Sequence, residues 1–343
     1  MSVVNKRTIV TPPVSPLSPA PVTISPAMHP AASPLAAGPM IGPSVFALGL
    51  GFAVIYLVWG STYLAIRFAV ETLPPFLMAG VRFIVAGALL YPIVRWQGAG
   101  RPSGGQWRHA AIIGGLLLVG GNGLVSWASQ WVPSGVTALI LATTPLWMVM
   151  LDWLVFKGRR PTGMVAAGIA VGLCGVAMLI GGTGTFTGEM HVMAVPALLA
   201  ACALWALGTL WSKRRPQGTP LMLNVAMQML CGGAMLLLIG TVSGEWAGAN
   251  LGAVSFKSAM ALAYLIFIGA LVGFSTYVWL VRHASPAAVS SYAYVNPLVA
   301  VVLGATLGNE MIGPTTLAAM AVIIAGVVLI MRRGPRNEVG RGG

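Results

Sequence analysis

Apolar residues form long unbroken stretches along the chain, and polar residues gather in the short segments between them. A helix of ~20 residues, rising ~1.5 Å per residue, spans the ~30 Å hydrocarbon core of a bilayer. Ten stretches have this length and character, so the pattern predicts an all-α integral membrane protein with ten transmembrane helices. The stretches cover residues 45–67, 75–94, 109–131, 134–156, 162–181, 190–211, 220–242, 259–281, 286–307 and 314–331.

Composition and charge agree with this prediction. Hydrophobic residues make up 57% of the chain and charged residues 7%, whereas soluble domains carry about 25% charged residues. The net charge of +13 would suggest nucleic-acid binding in a soluble protein, but here most basic residues lie in alternate loops, and the intervening loops carry only Arg67 and Lys257. Because Lys and Arg stay in the cytoplasm, this alternation predicts an even number of spans and two cytoplasmic termini, and it argues against a nucleic-acid partner.

The two ends of the chain differ from its body. Residues 1–43 are rich in proline, serine and alanine, which predicts a disordered cytoplasmic tail without a cleavable signal. Residues 334–343 are predicted to form a second cytoplasmic tail. Between them we expect two five-helix units, at residues 44–182 and 189–333.

The second unit repeats the first. A shift of 146 residues lays Trp59 on Trp205, and a shift of 152 residues lays Pro145 on Pro297. Because five is odd, the second copy would enter the membrane from the opposite side. Two inverted five-helix repeats around a central substrate site are the geometry of a secondary transporter.

Arg82 stands about seven residues inside the second apolar stretch. A charge at that depth costs at least ~2.5 kcal/mol, so it should face the bundle interior or water. Three roles are compatible with the sequence. Arg82 binds an anionic or zwitterionic substrate, pairs with Glu71 or Glu310 in an outer gate, or extends its side chain outward to the interface.

Prolines in the middle of two spans free backbone carbonyl groups, because proline has no N–H to donate. Pro145 follows Thr144, and Pro297 follows Asn296, so these polar residues are candidates to line a cavity. A helix kink satisfied within the bundle is the alternative. Further polar groups at membrane depth are Asn122 and Tyr292, the latter on the same helical face as Asn296.

Other chemistry finds little support. The chain has no GxxxxGK[ST] motif for ATP, no HExxH motif and no cluster of histidine or cysteine residues with metal-ligand spacing. The sequence therefore predicts no enzyme activity, no cofactor and no metal site. Asp152, about one turn from the inner end of the fourth span, is interpreted as an inner ion pair or as a proton-coupling carboxylate.

Two stretches carry a family resemblance, VWGSTYLAIRFAVETLPPFLMAGVRF (58–83) and SPAAVSSYAYVNPLVAVVLGATLGNE (285–310). They resemble the EamA branch of the drug/metabolite transporter superfamily and, more closely, YedA-type bacterial inner-membrane permeases. The resemblance implies ten helices in two inverted repeats, a central cavity and metabolite export, often coupled to an ion gradient. It also implies cavity or gate roles for Trp59, Ser61, Arg82, Tyr294, Asn296 and Glu310. One departure is Arg159, which stands where family members commonly have Glu.

Together these features predict a secondary transporter in the bacterial cytoplasmic membrane that exports amino acids or related zwitterionic or anionic metabolites. Arg82 would hold a carboxylate, and Trp59, Tyr63 and Tyr292 would form aromatic walls. Glu71, Asp152 and Glu310 are the candidate gate or coupling acids, with protons as the candidate ion. A passive channel is the alternative function. The sequence leaves open the substrate and the choice between monomer and homodimer.

Overall fold

A computed structural model describes residues 44–158, 160–181, 193–215, 218–284, 286–289 and 291–331. Regular structure in these ranges is entirely helical. The ten main helices are α1 Val45–Ala69, α2 Pro75–Trp96, α3 Gly104–Ala128, α4 Ser134–Leu154, α5 Gly163–Gly181, α6 Ala194–Arg214, α7 Leu221–Val242, α8 (the consecutive stretches Phe256–Tyr264, Leu265–Val272 and Gly273–His283), α9 Tyr292–Thr306 and α10 Pro314–Met331.

Seven of these helices are long and apolar enough to cross a membrane, namely α1 to α4 and α6 to α8. The other three also have apolar segments, which are shorter: Gly163–Leu179, Tyr292–Thr306 and Pro314–Ile330. The predicted all-helical membrane protein is therefore confirmed over the described ranges, and ten spanning helices stay a prediction. The predicted tails, 1–43 and 334–343, and Arg159 lie outside the described residues.

Contacts between loops and helix ends define two ends of the bundle. At the first, which we name the Glu310 end, Lys257 at the start of α8 lies 2.6 Å from Glu71 after α1. Arg67 of α1 donates to the carbonyl of Ser129 after α3. At the second, which we name the Asp152 end, Asp152 of α4 pairs with Arg214 of α6.

Small residues let the helices approach closely, as they must in lipid, where no hydrophobic driving force joins two apolar helices. α5 packs along α10 and α2 along α7. At the first contact, a Cβ built on Gly326 would lie 2.6 Å from the backbone nitrogen of Gly172 and 2.7 Å from the carbonyl oxygen of Gly168. The two backbones therefore touch directly.

This contact yields a stability prediction. We expect Gly326→Leu to lower the melting temperature in detergent, because the added side chain must force the α5 and α10 backbones apart, at a cost of about 1–3 kcal/mol. Gly181→Leu is the matched control, since no described residue lies within 4 Å of a Cβ at Gly181. Equal melting temperatures for the two variants would contradict the tight contact.

Positions that the sequence repeat equates share local structure. The indole of Trp59 lies against Gly273, where a built Cβ would be 2.5 Å from its Nε1. The indole of Trp205 lies in the same way against Gly121, where a built Cβ would be 2.7 Å from its Cε3. In both halves, a tryptophan from the first helix of one copy occupies the space left by a glycine in the third helix of the other.

Two further local features recur. α3 widens into a π-helical stretch at Gly115–Gly123, and α8 does so at Leu265–Val272. After α4 and α9 the chain passes through a left-handed residue, with φ of 53° at Lys157 and 51° at Asn309. These two residues are 152 apart, the same shift that relates Pro145 to Pro297.

Candidate functional site

Arg82 points into the bundle from α2. Only 5% of the residue is exposed, and its Nε and Nη1 atoms have no hydrogen-bond partner among the described residues. The guanidinium carbon lies 4.8 Å from the centre of the Phe83 ring. Because a buried guanidinium with two unpartnered nitrogen atoms carries a large desolvation cost, this arrangement suits an anion that arrives from outside the protein.

A glycine on α8 leaves room for the guanidinium. A Cβ built on Gly269 would lie 3.6 Å from Nη2 of Arg82 and 3.2 Å from the methyl group of Thr62. One turn further along α8, Gly273 receives the indole of Trp59. The structure thus brings Arg82 and Trp59, both predicted substrate residues, against neighbouring turns of the same helix.

The aromatic wall is larger than the sequence predicted. The Trp59 ring lies 5.1 Å from Tyr292, 5.2 Å from Tyr277 and 5.7 Å from Phe274. Tyr292 was a predicted wall residue, whereas Tyr277 and Phe274 were missed. The sequence feature that could have identified them is their position just after Gly273, which the repeat equates with Gly121.

The gate pairing considered for Arg82 is not formed in this structure. Glu71 pairs with Lys257, and Glu310 accepts hydrogen bonds from the backbone nitrogen atoms of Ser134, at 2.6 Å, and Gly135, at 3.1 Å. The outward-extended alternative also disagrees with the burial of Arg82. Of the three roles considered for Arg82, anion binding is the one that agrees with its burial and with the partners of Glu71 and Glu310.

Two predicted polar residues, Ser61 and Asn122, have hydrogen-bond partners within the protein. The Ser61 hydroxyl bonds to the carbonyl of Leu57 and to the hydroxyl of Tyr264, each at 2.6 Å. The Asn122 side chain donates weakly to the carbonyl of Leu117, 3.5 Å away. Tyr63 and Tyr294 are half-buried, and Tyr294 packs against the largest apolar cluster.

The two prolines have different local effects. Before Pro145, the α4 helix is interrupted at Ala142 and Thr143, and Thr144 donates to the carbonyl of Leu141 at 2.6 Å. The carbonyl that Pro145 leaves without its usual donor is thus satisfied locally. α9 continues through Pro297, and the neighbouring Asn296 is 5% exposed, with no described residue donating to its Oδ1 atom.

The same backbone turn ends α4 and α9. The nitrogen of Gly158 donates to the carbonyl of Asp152 at 2.8 Å, and the nitrogen of Glu310 donates to the carbonyl of Gly304 at 2.9 Å. In the two repeats, Gly158 is therefore structurally equivalent to Glu310, and Asp152 is equivalent to Gly304. Arg159, the departure from the family pattern, lies outside the described residues, and its role stays a prediction.

The acid and the glycine exchange places between these two turns. A Cβ built on Gly158 would collide with Oδ2 of Asp152, and a Cβ built on Gly304 would collide with Oε2 of Glu310. Because Gly158 has no side chain, the carboxylate of Asp152 can extend towards it. Gly304 makes room for the carboxylate of Glu310 in the same way. One carboxylate occupies the corresponding niche at each end of the bundle, supplied by opposite sides of the turn.

These carboxylates have different partners. Glu310 accepts two backbone N–H groups from the first turn of α4, whereas Asp152 pairs with Arg214 at 2.5 Å. The Arg214 and Asp152 side chains are 41% and 35% exposed. A third acid, Glu245, was missed by the sequence analysis as a site residue. It accepts the backbone N–H groups of Phe76 and Leu77 at the start of α2.

A cavity of about 640 Å³ opens at the Glu310 end, lined among others by Glu71, Glu245, Trp127 and Trp131. Arg82 does not line it. Among the described residues, no group of three or more histidine, cysteine or acidic side chains is placed to hold a metal ion.

Comparison with known proteins gives a consistent result. The model of the EamA-like transporter family matches the chain twice, at residues 47–181 and 192–332. The chain is 39% identical over 280 residues to the uncharacterized inner membrane transporter YedA of Escherichia coli (strain K12), covering 80% of this chain and 88% of that protein. It is 27% identical over 288 residues to a probable terminal-alkyne amino-acid exporter of Streptantibioticus cattleyicolor, covering 82% and 93% of the two chains.

The fold also matches a solved crystal structure with a TM-score of 0.57, at 21% sequence identity, over 83% of this chain and 96% of that chain. At this identity the likeness concerns the fold alone. The two family matches together span most of the chain, and they include both turns that carry the exchanged acids. The chain belongs to the EamA-like transporter family.

Proposed function

We propose that this transporter exports small zwitterionic or anionic metabolites, amino acids among them, by secondary active transport. The observation that carries the proposal is the buried guanidinium of Arg82, whose Nε and Nη1 atoms lack partners. A substrate carboxylate matches the planar fork of the guanidinium and supplies the missing acceptors. Trp59, Tyr277 and Tyr292 would contact the rest of the substrate.

Alternating access of two inverted repeats would move the substrate. The double family match and the equivalent Trp–Gly contacts in the two halves support this arrangement of ten spans. When two inverted halves exchange conformations, the side on which the central site opens is reversed, so both states have similar energies. With a basic Asp152 end, the alternation of charges supports cytoplasmic termini and an inner-membrane location.

Glu310 and Asp152 would act as equivalent gate carboxylates. In this structure Glu310 accepts two charge-assisted hydrogen bonds from the start of α4. These bonds join α9 to α4 and would close the gate at the Glu310 end of the bundle. We infer that Asp152 leaves Arg214 in the alternate state and accepts the backbone N–H groups of Ala287 and Ala288, which follow Pro286 as Ser134 and Gly135 follow Pro133. Protons would be the coupling ion if either carboxylate is neutralised during the cycle.

The amino-acid specificity rests on the Arg82 geometry and on one relative that is named as a probable amino-acid exporter. Metabolite profiling of the medium of overexpressing cells should show enrichment of compounds that carry a carboxylate. The enriched compounds are then offered to inside-out membrane vesicles. Enrichment confined to cations without a carboxylate would contradict the proposal.

A kinetic experiment separates a carrier from the alternative channel. We expect unlabelled substrate inside the vesicles to stimulate uptake of the labelled compound several-fold. The reason is that an alternating carrier returns to the outside faster when it carries unlabelled substrate than when it is empty. Uptake should also saturate. Flux that rises linearly with concentration and ignores internal substrate would indicate a passive channel. Vesicles from cells without the protein give the background.

A further inference from the structure

A second cavity, of about 660 Å³, lies on the side of the bundle at the Asp152 end. We name it the lateral crevice. It is formed by one stripe of α3, which includes Ala111, Ile112 and Gly115, together with residues from α6, α7 and the end of α4. Arg108 is the one charged residue among the described residues that line it. Its volume falls in the range of about 300–1,000 Å³ that is typical of ligand pockets.

The lateral crevice is open to the surface of the helix bundle. Ile112 and Val155, which line it, are 40% and 54% exposed. Because its walls offer almost no hydrogen-bonding groups, a polar metabolite or an extended peptide would leave its own polar groups unsatisfied there. The lining therefore suits a hydrocarbon chain that enters from the bilayer.

Three cations stand at the mouth of the lateral crevice. Arg108 belongs to its lining. The guanidinium carbon of Arg215 lies 4.2 Å from the ring centre of Trp211, and that of Arg214 lies 5.2 Å from the ring centre of Phe156. Both of these aromatic residues line the crevice. The cations thus lie beside an apolar cavity rather than on a separate surface.

Two of these three cations have no acidic partner among the described residues. The described residues contain two ion pairs, and the one at this end joins Arg214 to Asp152. Neither pair includes Arg108 or Arg215. These cations also lie near helix ends, since Arg214 is the last residue of α6 and Arg108 is in the first two turns of α3. Helix ends lie at the depth of lipid phosphate groups.

We propose that the lateral crevice is a binding site for an anionic phospholipid. One acyl chain lies along Ile112 and Gly115, and the phosphate group is held by Arg108 and Arg215. Basic pockets between membrane helices bind anionic lipid headgroups for the same reason, since charge and apolar area act on one molecule. The proposal concerns a lipid site and stands independently of the transported substrate.

Native mass spectrometry of the full chain in detergent tests the proposal. Phosphatidylglycerol and phosphatidylcholine with identical acyl chains are added in equal amounts. We expect the phosphatidylglycerol adduct to exceed the phosphatidylcholine adduct at least about fivefold. Arg108→Gln combined with Arg215→Gln should remove this preference, and Ala111→Phe, which fills the crevice, should reduce binding of both lipids.

Arg101→Gln is the matched control, because it removes an exposed cation from the same end of the bundle without altering the crevice lining. It should keep the lipid preference. Equal adducts of the two lipids, or an equal loss in the control, would overturn the proposal. So would a dimer that dissociates in Ala111→Phe, since a second copy of the chain would then occupy the crevice. Unfolding temperatures without added lipid show whether each variant folds; the double arginine variant remains decisive if Ala111→Phe does not.

Discussion

Arg82→Gln is expected to abolish transport while the protein still inserts, folds and melts at an unchanged or higher temperature. Transport should fail because glutamine offers no charge to a substrate carboxylate. A charge-assisted hydrogen bond contributes about 1.5–3 kcal/mol, which corresponds to about 10- to 150-fold in affinity for each bond lost. The measurement is uptake of the identified substrate into vesicles at a concentration below saturation.

The stability readout separates a binding role from a structural one. Arg82 is buried, and two of its nitrogen atoms have no partner, so the folded protein carries the desolvation cost of its charge. That cost is about 2.5–3.5 kcal/mol for an arginine at the centre of a membrane helix. Removing the charge should therefore not destabilise the fold. A structural ion pair or an interfacial anchor would behave oppositely, and its loss would lower the melting temperature.

Arg82→Lys provides the control for charge. Lysine keeps the cation but loses the planar fork that holds a carboxylate through two bonds. We expect intermediate transport with a raised KM. Wild-type transport by Arg82→Gln would refute both the binding and the gating roles of this residue.

Exchanging the acid and the glycine at the Asp152 end should be tolerated, whereas removing the acid should not. We expect Asp152→Gly alone to lower transport at least about tenfold, because one gate loses its carboxylate. Losing charge-assisted bonds of about 1.5–3 kcal/mol shifts the balance of the two conformations by about 10- to 150-fold. Asp152→Gly combined with Gly158→Glu should restore much of the activity, since it copies the arrangement of Gly304 and Glu310.

The other end of the bundle supplies the matched control. Glu310→Gly should lower transport, and adding Gly304→Asp should recover part of it. Gly158→Glu alone should be harmful, because the new side chain would collide with the Asp152 carboxylate. Loss of function in the Asp152→Gly and Gly158→Glu double variant, with an unchanged melting temperature, would show that the two carboxylates are not equivalent. The Asp152–Arg214 pair is partly exposed, so its loss should cost at most about 1 kcal/mol of stability.

Sequence reasoning was most successful where one strong physical requirement acts. In a bilayer the backbone must satisfy its own hydrogen bonds, so long apolar stretches can only be helices. Arg82 stood out for a related reason, since its charge is costly at that depth. The family resemblance followed from specific motifs and is confirmed by the two family matches.

The site was predicted less completely. Tyr277 and Phe274 look like ordinary membrane-helix residues, and only their contact with Trp59 distinguishes them. Glu245 lies far along the chain from the α2 backbone that it binds. The exchange of acid and glycine was also hidden, because a linear alignment compares side chains position by position. It does not show that two positions six residues apart in one turn share a single space.

The sequence by itself determined the helical membrane fold, the family and the presence of a cation at membrane depth, because each follows from composition or local order along the chain. Only the tertiary structure decided that this cation lacks a carboxylate partner among the described residues, that one carboxylate fills the corresponding niche at each end, and that three arginines stand at the mouth of an apolar crevice. Those properties depend on distances between helices. Such distances are set by the packing of glycines and large side chains that are remote in sequence.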